Sequence, residues 1–284
     1  MQPKGKQMNK IKIYFLFALL VPIIATAATK DETQWNKLLK KQYFSEQPIQ
    51  ESNEIIEIDA PYRAEDPALV PIRIISKIKQ TKDRYIKKIT VFVDKNPFPL
   101  VGEFGFTPDT GQADLAMRVR VNSYSYIRAI AEMNNGKLYM SKKFVKASGG
   151  CSAPIGADLD AAMKRIGKAK FKLSKGRREK GEPMQSQLLI SHPNITGMQM
   201  DQVTRFVKKS HFIDKLTVTF NDKPVLTAKI DIAISADPNF RFYFVPHQEG
   251  DLKVEFSDVS CDSPISRAVC SPGNNYSKSY HVTP

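Results

Sequence analysis

The sequence predicts an all-β protein: two β-sandwiches in tandem, joined by a basic, partly helical linker. Three observations carry this. Short runs rich in Ile, Val, Phe and Thr recur at close spacing through two stretches of the chain. Prolines outnumber glycines, 18 to 14, and turn clusters such as Asp94-Lys-Asn-Pro97 separate the runs. Long amphipathic helical patterns are scarce. The 284 residues suffice for one large domain or two of ordinary size, and 42% apolar with 25% charged residues suits a globular chain.

The first element is a targeting segment. Lys4, Lys6, Lys10 and Lys12 precede the apolar run Ile13 to Ile24, and Ala25-Thr-Ala27 supplies a small-x-small cleavage site. That order reads as a secretory signal peptide over residues 1–27. Its apolar core is short for a bilayer span, so no stable membrane insertion is expected. The mature chain is expected in the periplasm. Residues 28–50 form an N-terminal helical segment. Thr33 offers a cap and Trp35, Leu38, Leu39 and Phe44 an apolar face over residues 33–44.

A first sandwich is expected over residues 51–150. Its strands are Ile55–Ile58, Leu69–Ile75, Ile86–Val93, Ala113–Val121, Tyr126–Glu132 and Lys137–Met140. Within Ala113–Val121, Leu115, Met117, Val119 and Val121 share one face. Asn134-Asn-Gly136 is a hairpin turn. Residues 151–182 break the rhythm and read as an exposed arm and linker, with two helical turns over Asp158 to Ile166. A second sandwich over residues 183–270 has strands at Gln187–Ile190, Leu216–Phe220, Val225–Ile230, Phe240–Val245 and Leu252–Phe256, and a hairpin at Asn221-Asp222. Evenly spaced short strands with such turns suggest the immunoglobulin-like kind of sandwich. Residues 271–284 read as a frayed polar tail.

The charge is concentrated. The formal net charge is +14, and four lysines leave with the leader. Residues 142–180 hold 12 Lys and Arg against three acids, a net of +9. Without interleaved aromatics in an exported chain, this excludes nucleic acid and favours a small anion or an acidic partner surface.

All three cysteines lie in the mature chain. Cys261 and Cys270 stand nine apart with Pro264 between them, which suits a loop disulfide, although pairings with Cys151 stay open. Cys151 is then a lone thiol in an oxidising compartment, either reactive or intermolecular. His192, His211, His247 and His281 show no tight metal-ligand spacing, and His211 reads as structural. A Cys151–His192 nucleophile pair lacks a third orienting residue.

The ordered set of local motifs resembles a known family. Leu69-Val-Pro-Ile-Arg-Ile, Asp94-Lys-Asn-Pro-Phe-Pro-Leu, Arg118-Val-Arg-Val, Asn135-Gly-Lys-Leu-Tyr and Phe144-Val-Lys-Ala-Ser-Gly-Gly-Cys151 resemble SoxY. Ile190-Ser-His-Pro, Phe212-Ile213 and Ile234-Ser-Ala-Asp-Pro-Asn-Phe resemble SoxZ. These are the two subunits of the SoxYZ carrier of bacterial sulfur oxidation, and the fused form is similar to carriers associated with quinoprotein dehydrogenases. The resemblance implies that Cys151 holds sulfur oxyanions covalently, with Gly149 and Gly150 lending the arm its freedom. Lys142, Lys143 and Lys146 would then lower the thiol pKa and attract anions. It implies a non-enzyme with no cofactor and no metal. Its partners would be sulfur-oxidising enzymes or a quinoprotein dehydrogenase with cytochrome c. Two departures stand out: Ser152-Ala-Pro154 replaces the family's trailing glycines, and Cys151 is internal rather than terminal. The alternative is a non-covalent binding or assembly module for a quinoprotein dehydrogenase system.

Overall fold

The computed structural model describes residues 31–154, 159–174, 179, 181–202, 204–262 and 270–283. The leader over residues 1–27 lies outside them. A π-helical turn, Trp35–Leu39, runs into helix α1, Lys40–Phe44. Thr33 does not cap this turn: the N-cap position is Gln34, which makes no side-chain cap bond, and Thr33 instead donates its backbone N–H to Asp31 Oδ1 at 2.9 Å. Eight strands follow: β1 (Ile49–Glu51), β2 (Ile56–Asp59), β3 (Val70–Ser76), β4 (Ile86–Val93), β5 (Leu100–Phe106), β6 (Leu115–Val119), β7 (Ser125–Met133) and β8 (Leu138–Val145). Helix α2 (Leu159–Lys164) and β9 (Ala169–Leu173) come next, then β10 (Met184–Ile190), β11 (Ser210–Phe220), β12 (Lys223–Ile230), β13 (Asn239–Phe244), β14 (Gly250–Cys261) and β15 (Cys270–Val282).

The all-β expectation holds, and the two halves do more than sit in tandem. A nine-stranded sheet runs β1-β8-β7-β4-β5-β12-β11-β14-β15, and a six-stranded sheet runs β2-β3-β6-β13-β10-β9. Each half leaves two consecutive strands as an open edge, β5–β6 and β12–β13. The edges pair antiparallel: Phe106 opposite Leu226 through Gly102 opposite Ile230 in one sheet, and Ala116 opposite Arg241 in the other. Both sheets therefore cross the boundary between the halves. Pairing hides backbone donors and acceptors that an isolated half would expose. One core follows, from Ile56, Val91 and Phe104 across to Phe240, Val218 and Leu252.

Burial alternates along β3, β6, β10 and β13, as expected for strands with one face inward. Strand β4 is buried almost throughout. Trp35 and Leu39 cover its outer face, packing with Phe92, Ile130, Leu138 and Met140. Arg128 is sunk beneath this cap and holds it down. Its Nε donates to both Asp94 oxygens at 2.8 and 2.9 Å and its Nη2 to Glu32 at 2.8 Å, with Trp35 stacked 4.7 Å away. The hairpin turns fall where the sequence placed them. Gly136 has φ +81°, and Asn221 and Asp222 have φ +48° and +62°, the left-handed pair of a type I′ turn.

Two expectations are corrected. The terminal segment is no frayed tail: β15 pairs along all of β14, from Val282 opposite Gly250 to Cys270 opposite Cys261. Its Ser, Asn and Lys side chains face water, but backbone pairing needs no apolar side chain, and Tyr276 stacks on Phe256 at 4.9 Å. The linker is also more structured than an exposed arm. Strand β9 adds to the edge of the six-stranded sheet, with Phe171 inward and Lys170 and Lys172 outward.

Candidate functional site

Beyond β8 the chain turns inward. Lys146 exchanges backbone bonds with Tyr62 and Ala64, and Gly149 and Gly150 donate to the Asn122 and Val121 carbonyls at 3.0 and 3.1 Å. Each glycine has its own reason. Gly149 adopts φ +83°, the left-handed region that favours glycine. Gly150 lies so close to the Pro67 and Val121 carbonyls that any Cβ would collide with backbone. The pair thus fits the chain into a tight seat rather than leaving a loose arm.

Cys151 is carried to the boundary between the halves and is only 2% exposed. This corrects the exposed thiol expected from sequence. Loop residues of the second half hold it there. The Thr196 hydroxyl donates to the Cys151 carbonyl at 2.7 Å, and Gln199 Nε2 donates to the Ala153 carbonyl at 3.0 Å. From the first half, Asn122 Oδ1 accepts the Cys151 N–H at 3.4 Å. The side chain is a free thiol. Burial pushes its pKa up to about 11, opposed by the positive charge of Arg120 and reinforced by the negative charge of Asp231.

The three lysines expected to support a thiolate do not converge on it. Lys142 pairs with Glu32 at 3.0 Å and Glu51 at 2.9 Å on the face under the N-terminal helix. Lys143 is exposed, and Lys146 lies over the Tyr62 ring at 4.9 Å. Lys142 and Lys146 lie on one side of β8 and its exit, over the rings of Tyr126 and Tyr62, and Lys143 is turned to the other. The cation beside Cys151 is Arg120, which sequence reasoning missed. Alternation along Arg118-Val-Arg-Val121 assigns Arg120 to solvent. The second half covers that side instead, and Arg120 is 3% exposed. Its Nη1 donates to the Gly150 carbonyl at 3.1 Å and its Nη2 to the Asn194 carbonyl at 3.4 Å, while Nε has no hydrogen-bond partner among the described residues.

A second cluster joins the start of the same loop to two strands, with His192 on the loop, His211 on β11 and Asp258 on β14. His192, His211 and Asp258 bring their ligand atoms within 4.8 Å of one another, from positions far apart in sequence. Their chemistry is that of hydrogen bonding. The Asn194 backbone N–H donates to His192 Nδ1 at 3.1 Å, so the neutral ring carries its proton on Nε2, facing Asp258 Oδ2 at 3.3 Å. His211 at 3.1 Å and the Tyr276 hydroxyl at 2.9 Å share that oxygen, and the Asn274 N–H takes the other. Burial raises the Asp258 pKa, but these donors outweigh it and hold the carboxyl far below the usual carboxylate range. Burial keeps His192 below the ordinary histidine value. With both ring nitrogens engaged, His192 forms no pair with Cys151. His247 and His281 lie elsewhere, beside Asp109 and between Glu249 and Asp251. Cys261 and Cys270 are joined as a disulfide between β14 and β15.

Known proteins bear on this arrangement. Residues 40–151 match the family model of sulfur oxidation protein SoxY, and residues 172–268 match that of sulphur oxidation protein SoxZ. The SoxY match ends on Cys151. No curated protein matches the chain. Among solved structures, a superoxide reductase (neelaredoxin) from Ignicoccus hospitalis is 18% identical over 32% of this chain and 79% of its own, with a TM-score of 0.30. A putative superoxide reductase from Thermotoga maritima is 20% identical over 35% and 92%, with a TM-score of 0.29. At these scores the likeness says nothing about this fold or its activity. No helix among the described residues is long and apolar enough to cross a membrane. Two adjoining matches cover most of the chain in the order of its two halves, and the chain belongs to the SoxY and SoxZ sulfur oxidation family as a fusion of both in one polypeptide.

Proposed function

We propose that this protein carries sulfur intermediates covalently on Cys151 in the periplasm and presents them to partner oxidising enzymes. The observation that carries the reading is the position of Cys151. It closes the SoxY match, and it is the free thiol while the other two cysteines are bonded to each other. The chemistry requires partners. Joining thiosulfate to a thiol as a sulfenyl thiosulfate (S–S–SO3−) releases a proton to solvent and two electrons, so a redox partner such as a cytochrome c must accept the electrons. The seat around Cys151 then represents the retracted arm. Release requires breaking a few hydrogen bonds, from Thr196, Gln199 and Arg120 to backbone carbonyls.

Burial of the thiol favours a second reading, a non-covalent module for a quinoprotein dehydrogenase system. A thiol titrating at about 11 is ionised in roughly one copy in a thousand at pH 8. Intact mass of protein purified from its native periplasm separates the two. A carrier shows a reductant-labile increment of sulfur or sulfur oxyanion that Cys151→Ser abolishes. An unmodified mass under sulfur-oxidising growth, with function retained in Cys151→Ser, leaves only the module.

A further inference from the structure

The guanidinium of Arg120 is buried, yet no carboxylate among the described residues forms an ion pair with it. Its acceptors are two backbone carbonyls, one of them on Gly150, the residue before Cys151. Of the five N–H donors of an arginine these bonds use two, and Nε is buried without a hydrogen-bond partner among the described residues. A buried charge in this state is costly unless something compensates it. The nearby thiol is neutral when empty, since burial disfavours its anion. Asp66 is the carboxylate close enough to act on Arg120, but it makes no ion pair with it, so the site holds unused planar donors within electrostatic reach of the sulfur.

We propose that Arg120 is the binding site for the anionic end of a group carried on Cys151, so that the arm is held shut more firmly when loaded than when empty. The ligand class is a sulfur oxyanion in disulfide-like linkage, whose tetrahedral oxygens match the fork of a guanidinium as phosphate oxygens do. Thr196 and Asn122 flank the same seat and fix the backbone of Cys151, and of the two charges that act on the sulfur Asp231 repels an anion while Arg120 attracts it. The arm then works as a latch set by its own cargo. A sulfonate-bearing adduct is shielded in transit, and removal of the sulfonate frees the arm for the next partner.

This rests on the carrier reading, but its test does not need the natural partners. The full chain, with the Cys261–Cys270 disulfide intact, is loaded with tetrathionate in urea and refolded by dialysis. The Cys151 thiolate attacks a central sulfur and expels thiosulfate, leaving a sulfenyl thiosulfate (S–S–SO3−) on the protein; one anionic charge stays and two depart with the leaving group. A second sample receives methyl methanethiosulfonate, which leaves a neutral methyl disulfide and expels methanesulfinate. The same two adducts on the exposed peptide Gly-Gly-Cys-Ser-Ala set the intrinsic rates. Cleavage by dithiothreitol is followed by mass, and protection is the ratio of peptide to protein rate.

The anionic adduct is expected to be protected roughly tenfold or more beyond the neutral one, the scale of one charge-assisted contact. Arg120→Gln is expected to erase that difference, and Arg120→Lys to restore part of it. Equal protection of the two adducts in the unmutated protein overturns the proposal without reference to any variant. So does failure of the anionic form to refold where the methyl form succeeds, and so does an unchanged difference in Arg120→Gln. The carrier reading fails separately, if protein from the periplasm bears no adduct on Cys151.

Discussion

His192 and Asp258 govern how the protein meets acid. In the folded chain burial holds the His192 pKa below 6.5, and its contacts hold Asp258 ionised well below 3.8. The unfolded chain has neither constraint. As pH falls through 6.5 the unfolded state gains a proton at His192 that the folded state refuses, so stability drops; below 3.8 Asp258 adds to the loss. Their contribution is fully present above 6.5. The decline below that point is expected to begin with His192, over the interval between 6.5 and its lower folded-state value. Thermal unfolding between pH 7.5 and 5.0 measures it. His192→Gln should flatten this slope, whatever the substitution costs at pH 7.5. An equal slope in the variant would assign the acid sensitivity elsewhere. The neighbouring seat depends on the same loop, because Asn194 serves both: its N–H engages His192 and its carbonyl accepts from Arg120.

The element on which the molecule turns is β5. Two prolines and two glycines between Asn96 and Phe106 hide it from a search for apolar alternation. Those glycines are what the pairing needs. A Cβ on Gly102 would stand 2.8 Å from the Lys229 carbonyl oxygen, and one on Gly105 would fall on the Thr227 hydroxyl. Strand β5 is thus shaped to receive β12 from the other half. Gly102→Val is expected to cost about 1–3 kcal/mol, as overpacking in a core does, read from urea unfolding. A cost below about 0.5 kcal/mol would show that the seam tolerates a side chain there. Strands β9 and β15 were missed for a different reason. Strand β15 is an edge strand with most side chains in water, so its sequence looks like a loop while its backbone completes a ladder, and β9 keeps a short alternation of Ala169, Phe171 and Leu173 that the basic residues around it obscure.

At the scale of the whole molecule, the two halves unfold together or not at all. Antiparallel pairing crosses the boundary in both sheets, and one apolar core runs through both. Separating the halves would expose two strand edges and a wide apolar face. Calorimetry is expected to show a single transition, with calorimetric and van't Hoff enthalpies in agreement. Two resolved transitions would mean that the halves keep independent cores. The same joining creates the seat of Cys151. The glycine turn comes from the first half and the Thr196–Gln199 loop from the second, so the site exists only where both are present.

Sequence by itself determined most of the strand-forming segments, the hairpin turns, the order of the two halves and the family. These depend on local chemistry: alternation of apolar residues, positive φ at Gly136 and Asn221-Asp222, and short motifs in fixed order. Tertiary structure alone decided that the halves share their sheets, that Cys151 is buried, and that Arg120 rather than Lys142, Lys143 or Lys146 stands beside it. It also decided that His192, His211 and Asp258 meet. The physical reason is common to all four. Edge pairing is made by backbone groups that every residue carries, and burial at a seam depends on what a distant part of the chain lays over it. Neither leaves a periodic trace in the residues concerned, so Arg120 reads as a solvent-facing arginine until the second half closes over it.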